Sequence, residues 1–166
     1  MRALAVIGLI AGFGILLETT LLHALPTSLQ VSPDVLLVLC VFLGLRRHTV
    51  GGALGAFALG YLQDAVSGGA AGLNAFAMVV VYTLVYLTCR RLWVDNVFSK
   101  VVLVFLAALV KATAVLTVSF AFGAFDAAWG PALARSLATA ALAALVAPPI
   151  FALLDGAQLR EAREVP

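Results

Sequence analysis

Charge is what this sequence lacks most. Only 11% of its 166 residues are Asp, Glu, Lys or Arg, less than half of the roughly 25% found in soluble domains. Cysteine and histidine are equally scarce, at two each. Cys40 and Cys89 both lie in apolar runs and read as small buried hydrophobes, so neither a disulfide framework nor a thiolate metal site follows. His23 and His48 fall on opposite sides of the membrane in the topology derived below, which excludes a shared metal. No G-x-S-x-G, H-E-x-x-H or G-x-x-x-x-G-K occurs, and the glycine run from Gly51 to Gly60 has no Lys-Ser/Thr after it. These absences argue against an enzyme, a metal and any cofactor. Basic residues come in pairs rather than arrays, so nucleic acid is not expected; contact with membrane lipid headgroups accounts for them.

What is present is apolar surface. The apolar residues make 64% of the chain without counting glycine, whereas soluble domains reach about 45–50% with it. A chain of this length buries only about two-thirds of its surface, so the excess must face lipid. At about 20 residues per crossing, six crossings use about 120 residues and leave about 46 for loops and tails. No second, soluble domain fits. The expected fold is an all-α membrane protein, with six transmembrane helices in a compact bundle forming a single domain over 1–166.

The expected spans are 3–22, 30–45, 49–64, 70–89, 101–122 and 137–154, with a short polar tail over 155–166. The second span is short after Pro26 and Pro33, so its outer end either starts earlier or is embedded in protein. A cleaved leader is the rival reading of the first span, but Glu18 and His23 fit a cleavage region poorly. Placing the N-terminus inside puts Arg2, Arg46, Arg47, Arg90, Arg91, Lys100, Arg160 and Arg163 on the cytoplasmic side. That is eight of ten basic residues, and the outer loops hold none, as the positive-inside rule requires. Both termini are then cytoplasmic.

A rise of about 1.5 Å per helical residue converts sequence into depth. Glu18 lies 16 residues from Arg2, and Asp64 lies 16 from His48, so both sit about 24 Å from the cytoplasmic anchors, near the outer interface. Lys111, 11 residues past Lys100, sits about 16 Å deep, near the midplane of a ~30 Å core. An intramembrane lysine costs about 2.5–3.5 kcal/mol on insertion scales. Lys111 is therefore expected to face the bundle interior and to pair with Asp64 or Glu18. A structural ion pair, a ligand or ion site, and snorkelling toward the interface are the three roles open to it.

Small residues pattern the third span. Gly52, Ala56, Gly60 and Asp64 recur every four residues and share one helix face, with Gly51 and Gly55 beside them. Apolar side chains gain little by leaving lipid for protein, so membrane helices associate through close backbone approach and buried polar groups. The stripe thus reads as a tight helix contact ending in a carboxylate. Gly8 and Gly12 repeat the spacing in the first span, and Ala138–Ala147 makes the sixth a close-packing helix that Pro148-Pro149 should kink. Gln63, Asp64, Ser67 and Asn74 form an outer polar patch around the Gly68, Gly69 and Gly72 turn. It either caps helix ends or receives a partner.

The stretch from Pro33 to Tyr86, "SPDVLLVLCVFLGLRR" followed by "GALGAFALGYLQDAVSGGAAGLNAFAMVVVY", resembles the MreD family of bacterial rod shape-determining membrane proteins. The family pattern has a proline before the second span, G-x-x-x-D closing the third, and Gly and Leu soon after. Pro33, Gly60, Asp64, Gly72 and Leu73 match it, with Gly55 and Ser67-Gly68 also in place. Lys111 and Glu18 belong to no family pattern. The resemblance implies a bacterial inner-membrane protein of the elongation machinery acting with MreC and MreB. Through them it would be linked to the peptidoglycan polymerase RodA and its class B penicillin-binding partner. It also implies a distant likeness to the substrate-binding components of energy-coupling-factor transporters.

Two function classes follow, and a third is weaker. The leading expectation is a non-enzymatic scaffold that binds MreC through its small-residue faces and the patch from Gln63 to Asn74. Pro33, Gly55, Gly60, Gln63, Asp64, Gly72 and Asn74 are then the partner-binding or fold-critical residues. The alternative is a small-molecule-binding subunit of a vitamin-type transporter. A channel using Lys111 ranks last, because outer rings of charge are missing.

Overall fold

A short helix with almost no outward surface sits at the centre of the molecule. The computed structural model describes Gly8, Gly12, Gly14, 34–46, 50–67, 72–91, 96–121 and 129–163. Within these residues lie five helices: α1 (Val35–Arg46), α2 (Val50–Ser67), α3 (Leu73–Arg91), α4 (Val97–Ala121) and α5 (Trp129–Arg163). No strand occurs among the described residues. Gly8, Gly12 and Gly14 are helical too; the rest of the expected first span, with Glu18, lies outside the described residues, as does Pro33.

Every residue of α1 from Val35 to Gly44 is buried, and the helix touches all four of the others. Its 12 residues reach only about 18 Å. Asp34 explains where it begins. The carboxylate Oδ1 of Asp34 accepts the N–H of Leu37 at 2.9 Å, and its carbonyl accepts the N–H of Val38 at 3.3 Å, the arrangement of an N-cap. The outer end of the expected second span is thus embedded in protein.

The long helices pack around α1 by two means. Phe42 of α1 meets Phe151 of α5 with ring centroids 5.8 Å apart. On α5, Ala140, Ala143, Ala144, Ala147, Ile150, Phe151 and Leu154 are buried, a stripe three and four residues apart that faces inward. Glycine supplies the second means. A Cβ on Gly44 would stand 2.8 Å from Val85 Cγ1, and one on Gly14 would stand 2.8 Å from Val35 Cγ1. In α2 the stripe Gly52, Ala56, Gly60 and Asp64 is buried, and its Gly60 and Asp64 meet the start of α3.

Helix direction follows from contacts at the two ends. Arg46 Nη2 reaches Asp155 Oδ1 at 2.7 Å, and Lys100 Nζ reaches Asp155 Oδ2 at 3.3 Å. At the other end Lys111 meets Asp34. Therefore α4 runs against α1, whereas α5 runs with it. The expected sixth span and its tail form one helix: α5 continues past Pro148 and Pro149 as far as Arg163. Asp155, placed in the tail by sequence, sits instead in the basic cluster.

Leu73–Arg90, Val97–Ala121 and Ser136–Gly156 are long and apolar enough to cross a membrane, with mean hydropathies of 1.5, 2.5 and 2.2. Large apolar side chains also point outward, among them Leu54 at 65% exposure and Leu145 at 74%. In water, exposed apolar surface on this scale would drive aggregation; in lipid it is the ordinary exterior.

Candidate functional site

The polar groups of the molecule's carboxylate-rich end form two adjoining constructions. The first is the corner between α2 and α3. The peptide N–H groups that open a helix have no intrahelical acceptor. An N-cap side chain usually accepts some of them, but the residue at that position before α3 is Gly72, which has none. Asp64, at the end of the preceding helix, takes the task. Its Oδ2 accepts the N–H of Gly72 at 2.9 Å and of Ala75 at 3.2 Å. Its Oδ1 accepts the N–H and the side-chain Nδ2 of Asn74, both at 3.0 Å. Four donors on one carboxylate leave it well satisfied.

Two glycines make that reach possible. Gly72 has φ +95°, a left-handed conformation that an L side chain would strain. Gly60, one turn before Asp64, lies against the α3 backbone. A Cβ there would stand 2.5 Å from Ala75 Cα and 2.6 Å from the Asn74 carbonyl oxygen. Gly60, Asp64 and Gly72 are thus parts of one joint, with Asn74 on its far side. Gly55 is less demanding, since its Cβ would meet only the flexible end of Leu43 at 3.2 Å.

The second construction centres on Lys111, only 8% exposed. Its ammonium pairs with Asp34, itself 6% exposed, and donates to Gln63 Oε1 at 2.7 Å. The expected pairing with Asp64 does not form, because the Asp64 carboxylate is filled by the N–H groups of the α3 start. Glu18 lies outside the described residues. Lys111 does face the bundle interior, and through Asp34 and Gln63 it joins α4 to the start of α1 and the end of α2. Beside it lies a cavity of ≈ 220 Å³ that Asp34, Lys111 and Asn74 help to line.

Sequence reasoning passed over Asp34 and Asp155. Asp34 reads as a span boundary after Pro33, yet 12 residues separate it from Arg46. That places it about 18 Å from the basic end, close to the depth of Lys111. Asp155 carries a weaker signal, being the first acid after a long apolar run. Among the described residues, no group of three or more His, Cys, Asp or Glu could hold a metal. Cys40 donates its thiol to the Met78 carbonyl oxygen at 3.3 Å, a packing contact.

A comparison with protein-family models brings one match, rod shape-determining protein MreD, over residues 2–156. That is nearly the whole chain. The chain belongs to the MreD family. No curated protein and no solved structure matches it. The family is one of shape-determining membrane proteins rather than of enzymes, and the three apolar helices fit a membrane protein. The family places the chain in rod shape determination, and the G-x-x-x-D joint lies inside the matched residues.

Proposed function

We propose that this chain is a non-enzymatic scaffold of the bacterial cell-elongation machinery. It lies in the cytoplasmic (inner) membrane with six spans and both termini inside, and it binds MreC. Through MreC it helps couple cytoskeletal MreB to peptidoglycan synthesis, in a complex with RodA and its class B penicillin-binding partner. The observation that carries this reading is the family match over residues 2–156. The polar joint supports a structural form of scaffolding. Asp64 spends its hydrogen bonds on the Asn74 side chain and on the α3 backbone. In this reading Gly60, Asp64 and Gly72 govern partner binding by fixing the α2–α3 corner, Gln63 supports the same end through Lys111, and Pro33 and Gly55 are further fold-critical or partner-binding positions.

The test is affinity purification from native membranes, comparing the natural chain with Asp64→Ala and Gly60→Ala. MreC should co-purify with the natural chain and be lost from both variants while their membrane insertion persists. Recovery of paired ATPases in place of MreC would overturn the scaffold in favour of a transporter subunit.

A further inference from the structure

The cavity beside Lys111 carries chemistry that scaffolding does not use. Its volume of ≈ 220 Å³ exceeds the ~150 Å³ of an engineered cavity that admits benzene. It falls short of the ~300 Å³ at which drug-sized ligand sites begin. Its lining combines polar side chains, among them Asp34, Lys111 and Asn74, with apolar ones, among them Leu37, Ala112 and Val115. A space of that size and mixed lining suits the head and first carbons of an amphiphile, with the remaining tail outside along apolar helix faces.

Charge decides the class of head group. The site already holds one cation and one anion in contact, Lys111 and Asp34. A charged head would have to break that pair or add an uncompensated charge at low dielectric, which is strongly unfavourable. An uncharged head meets neither obstacle. Hydrogen-bonding capacity points the same way. An ammonium has three N–H donors, and among the described residues Lys111 meets two acceptors, Asp34 and Gln63. Asn74 commits its Nδ2 to Asp64, which leaves its Oδ1 to accept. A hydroxyl can take the N–H of Lys111 and give its own proton to Asn74 Oδ1.

We propose that this cavity binds an uncharged amphiphile, with a hydroxyl head held by Lys111 and Asn74 and an apolar stem against Ala112 and Val115. The site requires no transport and is independent of MreC binding. The probe is 1,2-dioctanoylglycerol added to the purified full chain and read by native mass spectrometry, with the anionic dioctanoylphosphatidylglycerol as competitor. A single diacylglycerol adduct should form and resist the anionic lipid. Ala112→Leu and Val115→Phe, which fill the cavity, should each reduce the adduct by at least about tenfold, whereas Leu145→Phe on the exposed face should not. Absence of the adduct, its persistence in a filled variant that keeps its melting transition, or displacement by the anionic lipid would each overturn the proposal. The competition needs no variant, so a folding defect in the filled chains leaves the test standing.

Discussion

Gly60 is the residue at which one methyl group has the largest expected effect. Its Cβ would run into the backbone of Ala75 and Asn74, and backbone cannot swing aside as a side chain can. Gly60→Ala should therefore cost about 1–3 kcal/mol, whereas Gly55→Ala, which meets only the end of Leu43, should melt close to the natural chain. Thermal melts of the two in one detergent check the contrast. Asp64→Asn should be milder than Asp64→Ala, since an amide oxygen in the place of Oδ2 can still accept from the Gly72 and Ala75 N–H groups. Removing either member of the Lys111–Asp34 pair strands a buried charge and should cost about 3–5 kcal/mol. Lys111→Met combined with Asp34→Asn should lose much less than the sum of the single losses, which a double-mutant cycle on melting would register.

The same residues mark how far sequence reaches. The G-x-x-x-D spacing announces a close approach and a carboxylate at its end, and both are there. It does not announce that the carboxylate serves the next helix, because a donor set of Gly72, Asn74 and Ala75 N–H groups exists only after the turn closes. Depth arithmetic offers Glu18 and Asp64 as the partners of Lys111. Asp34, at a closer depth, was hidden by its role as a helix start. A residue can cap one helix and neutralise another, and a one-dimensional reading assigns it the first role alone.

At the scale of elements, the correspondence between apolar runs and helices holds within a few residues for α2 to α4. It fails at the end of α5, where polarity resumes at Asp155 while the helix continues to Arg163. Helix termination is a backbone matter and needs no loss of polarity. The Arg46, Lys100 and Asp155 cluster ties α1, α4 and α5 at their common end, and Lys100 also lies over the Phe151 ring at 5.5 Å. Arg46 and Asp155 are partly exposed, so Asp155→Ala should cost less than about 1 kcal/mol. Its effect should shrink in high salt, unlike that of Lys111→Met.

At the scale of the whole molecule, the proposed six-span topology leaves few of these 166 residues outside the bundle for a partner to hold. That topology places recognition within the bilayer or at its rim. It predicts that a fluorescent reporter fused after Pro166 lights up in the cytoplasm, and that a periplasm-dependent phosphatase inserted after Ser67 is active. An active phosphatase at the C-terminus would break the topology.

The burial of α1 has a consequence in time. Asp34 and Lys111 are 77 positions apart, and bacterial synthesis adds about 5–20 residues per second. Asp34 therefore leaves the ribosome roughly four to fifteen seconds before its cation. Throughout that interval α1 lacks its counter-charge, and α4 and α5, two of the four helices it packs against, are still incomplete. An 18 Å segment with an uncompensated carboxylate at one end is a poor independent occupant of a bilayer. Its final placement waits for α4, so the most central helix of the finished protein is one of the last to settle.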